Sequence, residues 1–337
     1  MAAVLPFLLR RAAGHLLLVA LAASLCYLLA AACLRPGADF EARHPRPPQQ
    51  VIDAELSRLG LAADRPLAAR YARWAAGVVR GDFGRTADDR AVAAELGRRC
   101  RASARLLLPG TVIGAVLGVA LGVRGAARRH GPGDRLGTVA AVAVLAIPAF
   151  VLATLLQLGA QWINTATGMR IFGYVGEYTP GESGGALAGL GDRLRHLAVP
   201  TMTIALGQIA LYSRYQRTML LDALAAGHVR AARARGVPGG TVLRKYALRP
   251  TLIPVATFAA YQAGPLLTGM TLTEKVFGWH GMGEWLVDSI ARGDVNAVAA
   301  IGCCAAVLVL TARLPADLLA AALDPRVRLP PHERMST

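Results

Sequence analysis

The sequence predicts an all-α protein that crosses a membrane several times. Two features carry this prediction: 54% of the 337 residues are hydrophobic, and 37 basic residues against 21 acidic ones leave a formal charge of +16. Charged and apolar residues must therefore be segregated along the chain, as in polytopic membrane proteins. The cations lie in the gaps between apolar runs, which favours positively charged cytoplasmic loops over a nucleic-acid-binding face. No nucleic-acid partner is expected.

Apolar segments of about 20 residues are long enough to span the hydrocarbon core as helices. Six segments satisfy this requirement: 12–34, 103–123, 136–160, 197–217, 251–273 and 296–320. The first follows Arg10 and Arg11, so a cleaved secretory signal is the alternative, and LAAAC before Leu34 approaches a lipoprotein cleavage box. Its apolar run is longer than the core of a typical signal peptide, which favours an uncleaved first helix.

The charges of the connecting loops predict the orientation. In the loop between the second and third segments, Asp134 is the only acidic residue among several basic ones. The loop between the fourth and fifth holds eight cationic residues and one acidic residue, Asp222. The loop between the fifth and sixth segments is mainly acidic. Two cytoplasmic loops, one outer loop and both termini inside satisfy this pattern. Residues 35–102 are then outside despite their arginines, with helices expected near 50–60 and 66–80.

The sequence contains few motifs that would indicate catalysis or nucleotide binding. No G-x-x-x-x-G-K-[ST] loop occurs, so an ATPase that drives this chain must be another polypeptide. GESGG at 181–185 matches G-x-S-x-G, and with Ser183 as nucleophile and His196 downstream it offers an intramembrane serine hydrolase as the alternative of another class. It lies in a glycine-rich outer loop with no preceding strand, which argues against catalysis. The cysteines show no C-x-x-C pair, and neither a metal site nor a disulfide framework is indicated.

Three glutamines fall inside the predicted spans or at their edges: Gln157, Gln208 and Gln262. Polar groups within a membrane face a cavity or a neighbouring helix. Gln208 and Gln262 are therefore candidates to line a translocation pathway, and hydrogen bonding between helices is the alternative.

Residues 219–250 are too polar to span a membrane and too regular for an unstructured loop. Four residues are spaced to share one helical face: Leu220, Leu224, His228 and Ala231. Gly236 followed by Pro238 predicts a helix stop and a turn. Small residues such as Ala232 and Ala234 would let another surface approach the backbone closely.

This loop resembles that of a known family, the transmembrane subunits of bacterial ATP-binding-cassette importers of the dipeptide, oligopeptide and nickel permease group. The resemblance begins with HVRAARARGVPGGTVLRKYALRPTLIPV at 228–255. Similar segments follow the family's order at 59–86, 145–153 (LAIPAFVLA), 274–290 (EKVFGWHGMGEWLVDSI) and 317–328. It covers nearly the whole chain.

In that family the loop is the EAA motif, whose short coupling helix docks in a groove of an ATPase subunit. The resemblance places the motif's two alanines and its glycine at Ala231, Ala232 and Gly236, while Arg230 and Arg249 stand where the older consensus has glutamate and proline. The implied coupling positions are Arg230, Ala231, Ala232, Arg233, Arg235 and Gly236.

The resemblance implies a type I importer permease fold of six helices with both termini cytoplasmic, in the bacterial cell membrane. The implied division is an N-terminal helix at 1–34, an extracytoplasmic region at 35–102, a permease core at 103–322 with its coupling loop at 219–250, and a cytoplasmic tail at 323–337. No catalytic residue, metal or cofactor is expected in this chain, because ATP would be bound by partner subunits.

The implied partners are a second homologous permease, two ATPases and membrane lipid, together with an extracytoplasmic solute-binding protein docking near 161–196 and 274–295. The implied cargo is a dipeptide or oligopeptide, and nickel or another small solute is the alternative within the family.

Overall fold

The fold is helical throughout the part of the chain that the structure, a computed structural model, describes: residues 4–37, 44–62, 64–181 and 185–312. Within these ranges the only extended pairing is an isolated bridge between Arg85 and Ala91. The helices are α1 (Val4–Cys33), α2 (Gln49–Arg58), α3 (Leu67–Val79), α4 (Val92–Ala127), α5 (Pro132–Ala146), α6 (Ala149–Thr167), α7 (Gly185–Ala225), α8 (Gly227–Ala234), α9 (Gly239–Thr241), a π-helical turn (Val242–Leu248), α10 (Arg249–Tyr261), α11 (Ala263–Phe277), α12 (Met282–Arg292) and α13 (Val295–Thr311). The all-α prediction is confirmed.

Two of the described helices are long and apolar enough to cross a membrane by themselves: α1, over Ala13–Cys33, and α4. The pair α5 and α6 provides a third span if the two are counted as one bent segment, and α13 is apolar but shorter. The prediction of six spans thus goes beyond what helix length and hydropathy establish for the described residues.

The predicted span at 136–160 is not one straight helix. Helices α5 and α6 are bent by 106° relative to each other. The cause is Pro148, which has no backbone N–H and disfavours a helical residue before it. Ile147 accordingly takes an extended conformation, with φ −85° and ψ 126°. A count of apolar residues does not register such a break.

Two further predicted spans have different bounds in the structure. The segment 197–217 lies inside α7, which has 41 residues because helical structure continues through polar residues at both ends. The segment 251–273 is divided at Gln262 into α10 and α11.

The described residues form two compact units, of which the first contains Met1–Ser103 and His280–Thr311. Its core joins α1, α13 and the segment after α2 through Tyr27, Leu59 and Val295. The ring of Tyr27 stacks on that of Trp74 in α3, with centroids 4.6 Å apart. Helices α2 and α3 confirm the helices expected near 50–60 and 66–80.

The second unit contains Ala104–Trp279. Along α4, glycines recur every fourth residue, at Gly110, Gly114, Gly118 and Gly122. A Cβ at Gly114 would lie 2.4 Å from Cβ of Gln208, and each of the other three would also meet α7 at less than 3 Å. This stripe lets α4 and α7 approach to a distance that only glycine permits.

Candidate functional site: the basic loop after α7

The loop after α7 begins with a short, separate helix. Ala226 is extended, with φ −67° and ψ 150°, and α8 starts at the next residue. Gly236, in the left-handed region at φ +79°, ends the helix. Its N–H donates to the carbonyl of Arg233 at 2.9 Å, and the N–H of Val237 donates to that of Ala232 at 3.2 Å. These bonds satisfy carbonyls that the helix leaves free at its end.

One face of α8 is anchored in the second unit. The side chains of Val229 and Ala232 are fully buried. They share an apolar cluster with Ala126 at the end of α4, Leu220 near the end of α7, and two residues of the π-helical turn, Val242 and Ala247. A ring nitrogen of His228 also lies 3.2 Å from the carbonyl oxygen of Tyr246. Helix α8 is therefore packed against three other elements of its own unit.

The opposite face of α8 is exposed and basic. Arg230, Arg233 and Arg235 are exposed, as are Ala231 and Ala234 between them. The sequence contains no carboxylate between Asp222 and Glu274. Among the described residues, no carboxylate pairs with these three arginines. The face combines uncompensated positive charge with small side chains, which suits contact with an acidic protein surface.

The structure separates residues that the sequence pattern grouped together. Ala231 faces solvent, whereas Ala232 faces the apolar cluster. The predicted single face of Leu220, Leu224, His228 and Ala231 is wrong, because the extended Ala226 divides the segment into two helices. Of the six coupling positions that the resemblance implies, the structure exposes all but Ala232: Arg230, Ala231, Arg233, Arg235 and Gly236.

The exit of the loop is tied to α7 by two residues that sequence reasoning missed. Gln216 Nε2 donates to Thr251 Oγ1 at 3.0 Å, and the Thr251 hydroxyl donates to the carbonyl of Leu248 at 2.8 Å. Both side chains are buried. The only sequence signal was a glutamine inside an apolar helix and a threonine directly after Pro250.

The three glutamines have different surroundings. Gln157 Nε2 donates to the carbonyls of Tyr174 and Val276, at 2.8 and 3.3 Å, so this side chain holds loop backbone. Gln208 is buried against the glycine stripe of α4, and its Oε1 has no hydrogen-bond partner among the described residues. Gln262 is partly buried at the junction of α10 and α11. The role of Gln208 and Gln262 in a translocation pathway stays a prediction.

The hydrolase alternative depends on Ser183, which lies outside the described residues. Its predicted base, His196, is buried, and its Nδ1 lies 2.9 Å from the carbonyl oxygen of Asp192. The Asp192 carboxylate in turn accepts bonds from the backbone and side chain of Thr179. Gly173 makes room for the imidazole, since a Cβ there would lie 2.4 Å from its Cγ. These contacts give His196 a structural role in the segment before α7.

Residues 113–329 match the family described as the binding-protein-dependent transport system inner membrane component. The chain belongs to this family. This inner membrane component is 49% identical to the oligopeptide transport system permease protein OppB of Mycobacterium tuberculosis, over 96% of this chain and 99% of that one. It is 32% identical to the glutathione transport system permease protein GsiC of Salmonella typhimurium, over 84% and 86% of the two chains.

A Brucella ovis relative named as a peptide permease protein is also 32% identical, over 83% of this chain and 85% of its own. These findings confirm the resemblance seen in the sequence. The inner membrane component is a permease subunit of an ATP-binding-cassette importer, and thus a transport component rather than an enzyme. As such it works with ATPase and binding-protein partners.

Proposed function

We propose that this chain is one half of the translocation pathway of an ATP-driven peptide importer and that α8 is its coupling helix. The observation that carries the proposal is the two-sided character of α8, with Val229 and Ala232 buried in its own unit and Arg230, Arg233 and Arg235 exposed. The cargo rests on the relatives named above, whose names specify oligopeptides, peptides or glutathione.

The packing of α8 provides a route for force. Because Val229 and Ala232 share one cluster with Ala126 of α4 and Leu220 of α7, a displacement of α8 must move the ends of two long helices. Close-packed interiors transmit such a displacement instead of absorbing it. ATP-driven closure of two ATPases would draw the α8 helices of the two permeases together and rock the pathway between inward-open and outward-open states.

The exposed arginines supply the docking chemistry. Charged residues at the edge of an interface steer association and suppress wrong partners. Arg230 and Arg233 lie on successive turns of α8, and Arg235 follows its end. An acidic groove on the ATPase would pair with them, and the small Ala231 would allow close approach between them.

The proposal also covers the position of the chain in the membrane and its partners. The chain lies in the bacterial cytoplasmic membrane with six spans and both termini inside, divided at residues 34, 102 and 322 as the sequence predicts. It pairs with a second homologous permease and two ATPases. The solute-binding protein docks on the outer segments 161–196 and 274–295, and Gln208 and Gln262 line the pathway.

The experiment is a matched pair of charge reversals in the transporter assembled with its ATPases in liposomes. We expect Arg230→Glu with Arg233→Glu to reduce ATPase co-purification and labelled-peptide uptake by about ten-fold or more, since like charges at an interface oppose association. The control is Arg129→Glu with Arg135→Glu, which makes the same change in net charge on exposed residues of the α4–α5 segment.

Three results would decide against parts of the proposal. Full co-purification of the ATPases with the α8 variant would show that α8 is not the docking helix. Equal losses in both variants would indicate a general charge effect. Competition of peptide uptake by Ni²⁺ but not by unlabelled peptide would make the metal, and not the peptide, the cargo.

A further inference from the structure

An open cavity of about 420 Å³ lies in the second unit, lined by the end of α4, the length of α5 and the second half of α7. We call it the arginine-rimmed cavity, after Arg124, Arg128, Arg214 and Arg217, all of which line it. Its volume is within the range of sites that hold small organic ligands. It is separate from the exposed face of α8, none of whose residues line it.

The lining of the cavity includes an ion pair between Arg217 and Asp134. Arg217 Nε and Nη2 donate to the two carboxylate oxygens of Asp134 at 2.6 and 2.8 Å, and the backbone N–H of His130 donates to Asp134 at 3.0 Å. The pair joins the start of α5 to α7. Gly125 leaves room for it, because a Cβ there would lie 2.9 Å from a carboxylate oxygen of Asp134.

The remaining charge of the rim is positive and uncompensated. Arg217 is neutralised by Asp134, but Arg124, Arg128 and Arg214 have no carboxylate partner among the described residues. All three are exposed at the cavity. Guanidinium groups bind phosphate oxygens in bidentate geometry, so arginines on the lining of one cavity are suited to a phosphate group.

The walls below the rim are apolar. Leu121 from α4, Val144 from α5, and Leu206 and Ile209 from α7 line them. Leu121, in the apolar part of a helix able to span a membrane, is 52% exposed. A free phosphate ion would leave these side chains uncovered, whereas a hydrocarbon chain attached to the phosphate would cover them.

From this combination we propose that the arginine-rimmed cavity binds an anionic phospholipid, with its phosphate at Arg124, Arg128 and Arg214 and the start of an acyl chain along the apolar walls. Arg124 and Arg128 follow the apolar run of α4, where the helix leaves the hydrocarbon, so both parts of a lipid are at the depth they require. Placement in the cytoplasmic leaflet rests on the orientation proposed above, but the binding chemistry does not.

The test measures lipid retained by the purified full-length chain, using native mass spectrometry in detergent supplemented with equal amounts of phosphatidylglycerol and phosphatidylcholine. We expect the wild-type chain to retain phosphatidylglycerol preferentially. Replacing Arg124, Arg128 and Arg214 with glutamine should reduce that preference by about ten-fold or more, since each arginine near an anionic headgroup contributes several-fold to its binding. Arg129→Gln with Arg135→Gln, outside the cavity, should leave it unchanged.

A second variant tests the cavity without changing charge. A Cβ at Gly137 meets no atom within 4 Å, so Gly137→Leu can be accommodated without displacing the backbone and would place its side chain in the cavity. We expect this variant to lose retained phosphatidylglycerol while its thermal unfolding in detergent stays at the wild-type temperature. Retention equal to wild type in both Gly137→Leu and the triple variant would overturn the proposal.

The source of the phosphate is distinguished in the same measurement. Displacement of phosphatidylglycerol by equimolar glycerol 3-phosphate would show that the site binds a soluble phosphate and would overturn the lipid assignment. Equal losses in the Arg129 and Arg135 control would show non-specific attraction to a basic surface and would also overturn it. Loss of the lipid on adding a second permease subunit would show that protein, not lipid, fills the cavity. None of these results depends on ATPase coupling or uptake.

Discussion

Arg217 of α7 donates two hydrogen bonds to Asp134 of α5, across 83 positions of sequence. The Asp134 side chain is 4% exposed and that of Arg217 is 29% exposed. Removing the carboxylate by Asp134→Ala leaves a half-buried guanidinium without its partner. We expect the free energy of unfolding to fall by about 1–3 kcal/mol, below the value for a fully buried pair because Arg217 retains contact with solvent.

Thermal unfolding of the purified chain in detergent measures this change. Asp222→Ala is the matched control, because Asp222 is exposed near the end of the same helix α7. Its unfolding temperature should stay at the wild-type value. Equal shifts in the two variants would mean that the loss of a negative charge from a basic chain, and not the pair, sets the stability.

The glycine stripe of α4 gives a second prediction. Gly114→Ala places a Cβ 2.4 Å from Cβ of Gln208, so α4 and α7 must separate. We expect a loss of about 1–3 kcal/mol, the usual effect of overpacking an interior. Gly207→Ala in α7 is the control, since a Cβ there meets no atom within 4 Å.

In the control, alanine should leave stability unchanged or raise it slightly, because it favours helix more than glycine does. Chemical or thermal unfolding of both variants in one detergent tests the pair. A stable Gly114→Ala variant would show that the two helices do not approach as closely as the structure places them.

Asp294 provides a prediction of pH dependence. Its carboxylate accepts bonds from the N–H of Ala87 at 2.9 Å and of Ala297 at 3.0 Å, at the start of α13. Burial raises the pKa of Asp294 above its ordinary value; the two backbone hydrogen bonds and the nearby Arg292 oppose this rise, and Asp88 adds to it. The folded chain therefore binds this proton more tightly than the unfolded chain, for which the pKa is about 3.9.

The contribution of Asp294 to stability is fully present below that unfolded-state pKa and is lost as pH rises through the higher folded-state pKa. We expect the free energy of unfolding of the wild type, relative to Asp294→Asn, to decrease as pH rises from about 4 towards neutrality. Denaturant titrations at several pH values measure the difference. A difference that is independent of pH would contradict the prediction.

Asp89, in the same unit, serves as a control because its contribution to stability should change with pH in the opposite direction. Hydrogen bonds from Arg58 and Arg85 lower the pKa of Asp89, which is exposed. Its contribution is therefore present above the unfolded-state pKa and lost as pH falls through the folded-state pKa. Asp89→Asn should remove stability at neutral pH and none at strongly acidic pH, the reverse of the trend at Asp294.

The sequence predicts helix type well here but not helix bounds. Apolar runs identify α1 and α4, because composition alone decides which segments can enter a bilayer. The break at Pro148 and the division at Gln262 depend on backbone geometry inside apolar runs, which a count of apolar residues does not register. The family resemblance lay in the motifs and is confirmed by the match over 113–329.

The candidate site, too, could be predicted from the sequence only in part. The arginines of α8 and the stop at Gly236 were evident in the sequence. The sequence did not show that Ala231 faces out while Ala232 packs inward. The helix begins only after the extended Ala226, and this start sets which residues face the apolar cluster. The pair of Asp134 and Arg217 depends on two helices meeting in space, and no local pattern contains it.

The last prediction concerns Gly236, which ends α8 at φ +79°. A Cβ there meets no atom within 4 Å, so a substitution disturbs only the backbone conformation. β-Branched residues are disfavoured in the left-handed region, whereas asparagine tolerates it. We therefore expect peptide uptake by the assembled transporter to fall most for Gly236→Val and least for Gly236→Asn, with every arginine retained. Gly239→Val is the control, because Gly239 also has open space around its Cβ but no positive φ. It should keep more uptake than Gly236→Val, and equal uptake in these two valine variants would show that the position of α8 does not depend on the left-handed turn.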